Sequence, residues 1–231
     1  MRFTGRLMRP VRIFQIQLDC ESEATMQRSY YHDGVATFLS TKPQAVLGEL
    51  VQKHGFDLNE LQRNAWVAQI NILQQQLQAL PDAQLYFEFA IPRMGKRVDN
   101  IVLLPNAIVV LEFKIGAQNY PQHAKTQVID YCLDLLNFHA GSHGKRVVPV
   151  LVCSQAPAQE LNWGSVAQLH DCVCCNQDNL GAVLQQVAAH CEAEAAFESH
   201  AWAESAYKPT PTIIEAARFV SSASGCRHYP P

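Results

Sequence analysis

Asp99, Glu112 and Lys114 stand in an otherwise apolar stretch, RVDNIVLLPNAIVVLEFKIG, residues 97 to 116. Ionised side chains taken out of water are costly unless paired or metal-bound, so charges on strands that read as buried mark a site. Glu112 and Lys114 are two residues apart, and on a strand both leave the same face, beside Ile108 and Val110. Asp99 belongs to the preceding strand, and a turn at Pro105-Asn106 brings it alongside Glu112. Two carboxylates supply the hard oxygen donors that Mg2+ prefers. A divalent ion there would lower the pKa of a bound water and neutralise charge on a phosphodiester, while Lys114 orients the nucleophile or stabilises the transition state. The chemistry expected is phosphodiester hydrolysis with Mg2+ or Mn2+.

Such a cluster needs a sheet to carry it and helices to cover it, and the surrounding pattern supplies both. Thr41 as cap, Pro43 in the opening turn, the stripe Val46, Leu47, Leu50, Val51 and a closing Gly55 predict a first helix. Asp57 and Glu60, spaced as a capping box, predict a second helix, whose broad apolar face includes Leu61, Trp66, Ile70, Ile72 and Leu73 and ends at Pro81. The period then changes. Segments 84 to 91, 97 to 104 and 107 to 115 are short, rich in β-branched and aromatic residues, and separated by turn residues, which predicts an antiparallel meander. A helix over 122 to 139, with Ala124, Val128, Cys132 and Leu135 on one face, leads to a strand over 147 to 154, completing a βαβ unit. An edge strand over 171 to 176 and a last amphipathic helix around Leu180 to Cys191 follow. The expected fold is α/β, a mixed sheet flanked by helices with an N-terminal helical layer over 41 to 80 and a core over 84 to 196.

Composition bounds the function. The 231 residues, 48% hydrophobic, suit one sizeable core plus an accessory segment, and a net charge of −3 argues against simple coating of nucleic acid by bulk charge, so that a polyanion would have to be held by a local basic patch or bound metal cations. Eight scattered cysteines read as reduced thiols, and no apolar run reaches about eighteen residues, so a cytoplasmic protein without a membrane span is expected. Residues 1 to 25 carry four arginines and no acid before Asp19, and read as an extension outside the fold, with Met26 as a start just before the first patterned segment. Residues 197 to 231 read as a tail or linker.

Asp99 followed by Glu112-Phe113-Lys114 resembles the PD-(D/E)xK nuclease superfamily, whose core is a restriction-endonuclease-like mixed sheet flanked by helices; Val98 stands where the family has its leading proline. Gln127-Val128-Ile129-Asp130-Tyr131 resembles the QxxxY element of the RecB-like branch, and Gln127 and Tyr131, at i and i+4, share a helix face. The resemblance implies Asp99 and Glu112 as metal ligands, Lys114 as the catalytic amine, and Gln127 and Tyr131 as supports. Glu88 faces opposite to Leu85, Phe87 and Phe89, and is implied as an auxiliary acid that binds a second metal or orders the site. Over residues 26 to 217, segments such as IPRMGKRVD, VVLEFKIG and YKPTPTIIEAA resemble the N-terminal module of bacterial proteins carrying a Schlafen-group-3-like DNA/RNA helicase domain. That implies a truncated relative working with a separate helicase or ATPase, because no GxxxxGK[ST] phosphate loop occurs. The implied partner is nucleic acid, DNA favoured over RNA. The alternative is a catalytically inactive nucleic-acid-binding or regulatory module.

Arg93, Lys96, Arg97 and Lys125, with Lys145 and Arg146, would line a phosphate track. Cys172, Cys174 and Cys175 lack zinc-knuckle spacing and read as packed or edge thiols. His139, His143 and His170 read as helix-end or surface groups, and Trp66 as core.

Overall fold

A computed structural model describes residues 28–55, 58–192, 194, 196 and 198–210, with the backbone alone at 199 and 200. The expected N-terminal extension, residues 1–25, and the end of the tail, 211–231, lie outside the described residues.

Six strands form one sheet in sequence order: β1 (Tyr31–Gly34), β2 (Gln84–Ile91), β3 (Lys96–Leu104), β4 (Ala107–Lys114), β5 (Val147–Cys153) and β6 (Val173–Cys175). The pairs β1–β2, β2–β3 and β3–β4 are antiparallel, and β4, β5 and β6 are parallel. The expected meander and βαβ unit are both present, and the fold is α/β. The mixed sheet separates two apolar cores. One lies beneath α1 (Val35–Ser40), α2 (Pro43–His54), α3 (Glu60–Gln76), α5 (Trp163–Ala167) and α6 (Leu180–His190); the other lies beneath α4 (Gln122–Phe138) and α7 (Ser199–Ala203).

The N-terminal layer differs from expectation in its ends. The strand β1 and helix α1 were not foreseen, because YHDG and VATFLS are each too short for a period to show. Thr41 closes α1, donating its hydroxyl to the Thr37 carbonyl at 2.9 Å, and Lys42 is the N-cap of α2. Asp57 lies outside the described residues; Asn59 caps α3, accepting from the Gln62 N–H at 2.7 Å. Leu61, placed on the apolar face by its spacing, is 81% exposed, whereas Trp66, Ile70 and Leu73 are buried.

Residues 198–210 are not a free tail. Trp202 is buried between Phe89, Tyr86 and His139, and backbone bonds from Ala140 N–H to Ala206, from Lys208 N–H to Phe138 and from Thr210 N–H to Asn137 dock the segment on the end of α4. His139 stands at the end of α4 as expected, but fully buried rather than at the surface, its Nδ1 2.8 Å from Ser142 Oγ.

Candidate functional site

The sheet has a fault line across three strands. On β2, Leu85 and Phe87 point into the first core and Tyr86 into the second, but past Glu88 the order inverts, and Phe89 and Ile91 point into the second. On β3, Val102 and Leu104 face the first core and Ile101 and Leu103 the second, yet Val98 also faces the second. Both strands change phase at the same row, so the ladder keeps its register while pairing Phe87 with Asn100 and Phe89 with Val98, and skips Glu88 and Asp99 between them. Glu88 takes the left-handed conformation there, φ 53°. That conformation costs a residue with a Cβ about 1–3 kcal/mol and persists where surrounding structure overrides it.

The phase change corrects the expected orientation of Glu88, which does not lie opposite a continuous Leu85-Phe87-Phe89 face. Its Oε1 instead accepts from Trp66 Nε1 at 2.8 Å and Gln62 Nε2 at 3.2 Å, both on α3. Trp66 is core as expected, but it also holds a site acid. A lone Trp in an apolar stripe carries no signal of that second role.

The next strand continues the row. The β3–β4 ladder reaches Asn100 opposite Leu111, which leaves Asp99 facing Glu112. There the Asp99 Oδ2 replaces a ladder carbonyl, accepting from the Phe113 N–H at 2.8 Å. Glu112 and Lys114 leave the second-core face of β4, as the alternation with Ile108 and Val110 predicts. Lys114 Nζ donates to Glu112 Oε1 at 2.7 Å and makes a longer 3.4 Å contact to Gln127 Oε1. The Gln127 Nε2 in turn donates to the Tyr131 hydroxyl at 2.9 Å. Thus Glu112, Lys114, Gln127 and Tyr131 form one continuous chain of hydrogen bonds from β4 to α4.

The electrostatics are those of crowded acids short of water. Burial raises the Asp99 carboxyl well above the usual range, the Glu112 charge adds to the rise, and the Phe113 N–H opposes it. Burial also raises Glu112, against the pull of the Lys114 ammonium and, further out, of Lys96. Glu88 rises through burial too, opposed by the Trp66 hydrogen bond and Arg97. Tyr131 is pushed up by burial, so its hydroxyl stays protonated.

Whether these groups suit a divalent cation can be tested on their free valences. Glu112 Oε2 is buried without a hydrogen-bond partner, and a carboxylate oxygen can be satisfied there only by a donor or a cation. Asp99 stands opposite it with one oxygen on Phe113 N–H. Two carboxylates are what a Mg2+ site ordinarily takes from protein, water and substrate filling the remainder, so Asp99 and Glu112 fit the ion. Glu88 is bound to Trp66 and Gln62, and among the described residues no group of three His, Cys, Asp or Glu side chains is arranged to hold a metal.

The expected basic track is mostly engaged inside the fold. Arg93 pairs with buried Asp134 at 3.1 Å and lies over the Phe138 ring. Arg97 lies over Tyr30 and donates to the Glu88 carbonyl, bracing the strained residue. Lys125 pairs with Asp171 at 3.3 Å, Arg146 with Glu194 at 2.8 Å, and Lys145 is engaged as well. Lys96 is exposed beside the acids. Spacing in sequence reveals cations but not the acids that fold onto them.

No protein-family model and no curated protein matches the chain. Among solved structures it is similar to the crystal structure of protein VC1899 from Vibrio cholerae, at 13% identity and a TM-score of 0.37, covering 71% of this chain and 52% of that one. The chain therefore spans about half the length of that structure, and a likeness at this identity and score carries no argument about activity.

Proposed function

We propose that this protein is a nuclease of the PD-(D/E)xK type, hydrolysing phosphodiester bonds in nucleic acid with Mg2+ or Mn2+ held by Asp99 and Glu112. The observation that carries this reading is the convergence of Asp99, Glu112, Lys114, Gln127 and Tyr131 at one strand end, with the Glu112 Oε2 left unpartnered. A bound divalent ion would supply an acidified water and neutralise charge on the phosphate.

The chain's own groups do the rest. Lys114 keeps its ammonium in a fixed place, between Glu112 Oε1 and Gln127 Oε1, from which it can orient the attacking water or donate to a phosphate oxygen as negative charge develops. Gln127 limits the swing of Lys114, and the Tyr131 hydroxyl fixes the Gln127 amide with its oxygen toward the amine. Glu88 acts as an auxiliary acid that raises the negative potential of the row from a position pinned by Trp66. Lys96 is placed to meet a phosphate entering beside the acids. DNA is favoured over RNA as substrate, in a cytoplasmic setting with a separate helicase or ATPase as partner. Among the described residues no helix is long and apolar enough to cross a membrane.

The test is incubation of purified protein with single- and double-stranded DNA and RNA, with Mg2+, Mn2+ or EDTA, beside Lys114→Ala. Cleavage in metal that disappears in EDTA and in the variant supports the assignment. Cleavage that survives Lys114→Ala refutes the site, and binding without cleavage supports an inactive module.

A further inference from the structure

The CxCC segment is not used by the acid row, yet the fold gives two of its thiols an environment that the other described cysteines lack. Cys172 and Cys174, on the α4 side of edge strand β6, have their sulfurs 4.0 Å apart. They are 5% and 6% exposed, whereas Cys132, Cys153, Cys175 and Cys191 are at 0–1%. Cys175 alternates into the opposite core, which leaves the pair without a third thiol from its own strand. The Lys125 ammonium stands beside Cys174, carried by α4 and anchored to Asp171 at 3.3 Å. Thiolates are the nucleophilic form of cysteine, and a neighbouring thiol donor and a lysine both favour that form. Here the contact with the Cys172 sulfur lowers the Cys174 thiol, and the Lys125 ammonium adds to it against burial and the Asp171 charge; the Cys174 sulfur also lies 3.9 Å from the Cys172 carbonyl.

We propose that Cys172 and Cys174 are a peroxide-reactive dithiol that closes to a reversible disulfide, Cys174 reacting first and Cys172 resolving it. The Cys174 thiolate attacks one oxygen of a hydroperoxide; the O–O bond breaks, and the departing oxygen leaves as hydroxide and takes a proton from solvent. Cys174 is then a sulfenic acid. Cys172 loses its proton and attacks the Cys174 sulfur; the S–O bond breaks, the oxygen leaves as water, and the S–S bond forms. Two thiols and one hydrogen peroxide thus give one disulfide and two waters. Cys172 precedes the first residue of β6, Val173, and closing the disulfide would bring the two sulfurs from 4.0 Å to about 2 Å. The segment sits two strands from Lys114, since β6 pairs with β5 and Cys153 of β5 is the register partner of Lys114.

The experiment treats the full chain with one equivalent of hydrogen peroxide, blocks remaining thiols by alkylation, and maps the products by tandem mass spectrometry, so the readout does not depend on nuclease activity. The expected result is loss of two hydrogens confined to Cys172 and Cys174, reversed by dithiothreitol. Cys172→Ser should stop at a Cys174 sulfenic acid that dimedone traps, and Lys125→Met should slow the first step about tenfold. The proposal is overturned if Cys172 and Cys174 still alkylate after other thiols have oxidised. A bridge from Cys174 to Cys153 overturns it too.

Discussion

Replacing Lys114 with methionine keeps most of the side-chain stem and removes the only cation hydrogen-bonded to Glu112 among the described residues. The Glu112 side chain is 5% exposed, its Oε1 loses a 2.7 Å donor, and its Oε2 has none to begin with. Breaking a buried ion pair by deleting one partner costs about 3–5 kcal/mol. The Lys114 side chain is 30% exposed, so water already screens part of the attraction, and about 2 kcal/mol is the better expectation. In urea unfolding with EDTA present, that is a midpoint lowered by about 1 M at a slope near 2 kcal/mol per M. Adding Glu112→Gln should return the double variant to within about 1 kcal/mol of the parent, because the uncompensated charge is gone. Mg2+ at a hundred times its dissociation constant should stabilise the parent by about 2.7 kcal/mol, and Lys114→Met by at least as much, since the cation replaces the lost ammonium. An unchanged midpoint for Lys114→Met would refute the reasoning about the pair. A Mg2+ response that survives Glu112→Gln would refute the assignment of the ion to this carboxylate.

Asp99→Asn keeps an oxygen for the Phe113 N–H and removes a charge that burial and Glu112 disfavour. In EDTA it should raise stability on the order of 1 kcal/mol near neutral pH. The folded pKa of Asp99 is raised, so its destabilisation is absent below the unfolded value near 4 and grows as pH rises; the gain should vanish in acid, and denaturation curves at several pH values check this. His139 has the opposite sign. Burial holds it at about 4 against a usual 6.5, with Arg28 and His143 adding to the effect, so the native state binds fewer protons than the unfolded chain. Its contribution is full above pH 6.5 and is lost on the way down to about 4, roughly 3 kcal/mol in all, and His139→Gln should flatten the stability profile over that window. Trp202→Ala should cost about 3–5 kcal/mol by thermal or urea unfolding, and a loss under 1 kcal/mol would mean that residues 198–210 do not pack on α4 as described.

Much of the scaffold was legible because its signals are local. The change from a helical to a strand period around residue 84, the turn at Pro105-Asn106 and the run of short apolar segments define β2, β3 and β4 to within a residue. Glu112 and Lys114 at i and i+2, and Gln127 and Tyr131 at i and i+4, share faces by backbone geometry alone, and the structure joins them through hydrogen bonds. The short β1 and α1 escaped because four or six residues cannot display a period. The caps of α2 and α3 were misplaced by one or two residues because several polar residues compete at each start.

Residue order by itself therefore determined which side chains share a face of one element, since a strand repeats every two residues and a helix every 3.6. Only the tertiary structure decided what stands across from them. The phase change that puts Glu88, Asp99 and Glu112 in one row, the Trp66 bond that turns Glu88 toward α3, and the acids that occupy Arg93, Lys125 and Arg146 all join residues distant in sequence. A left-handed residue in a strand and a buried partner on another element depend on packing around the whole sheet, which no local spacing encodes.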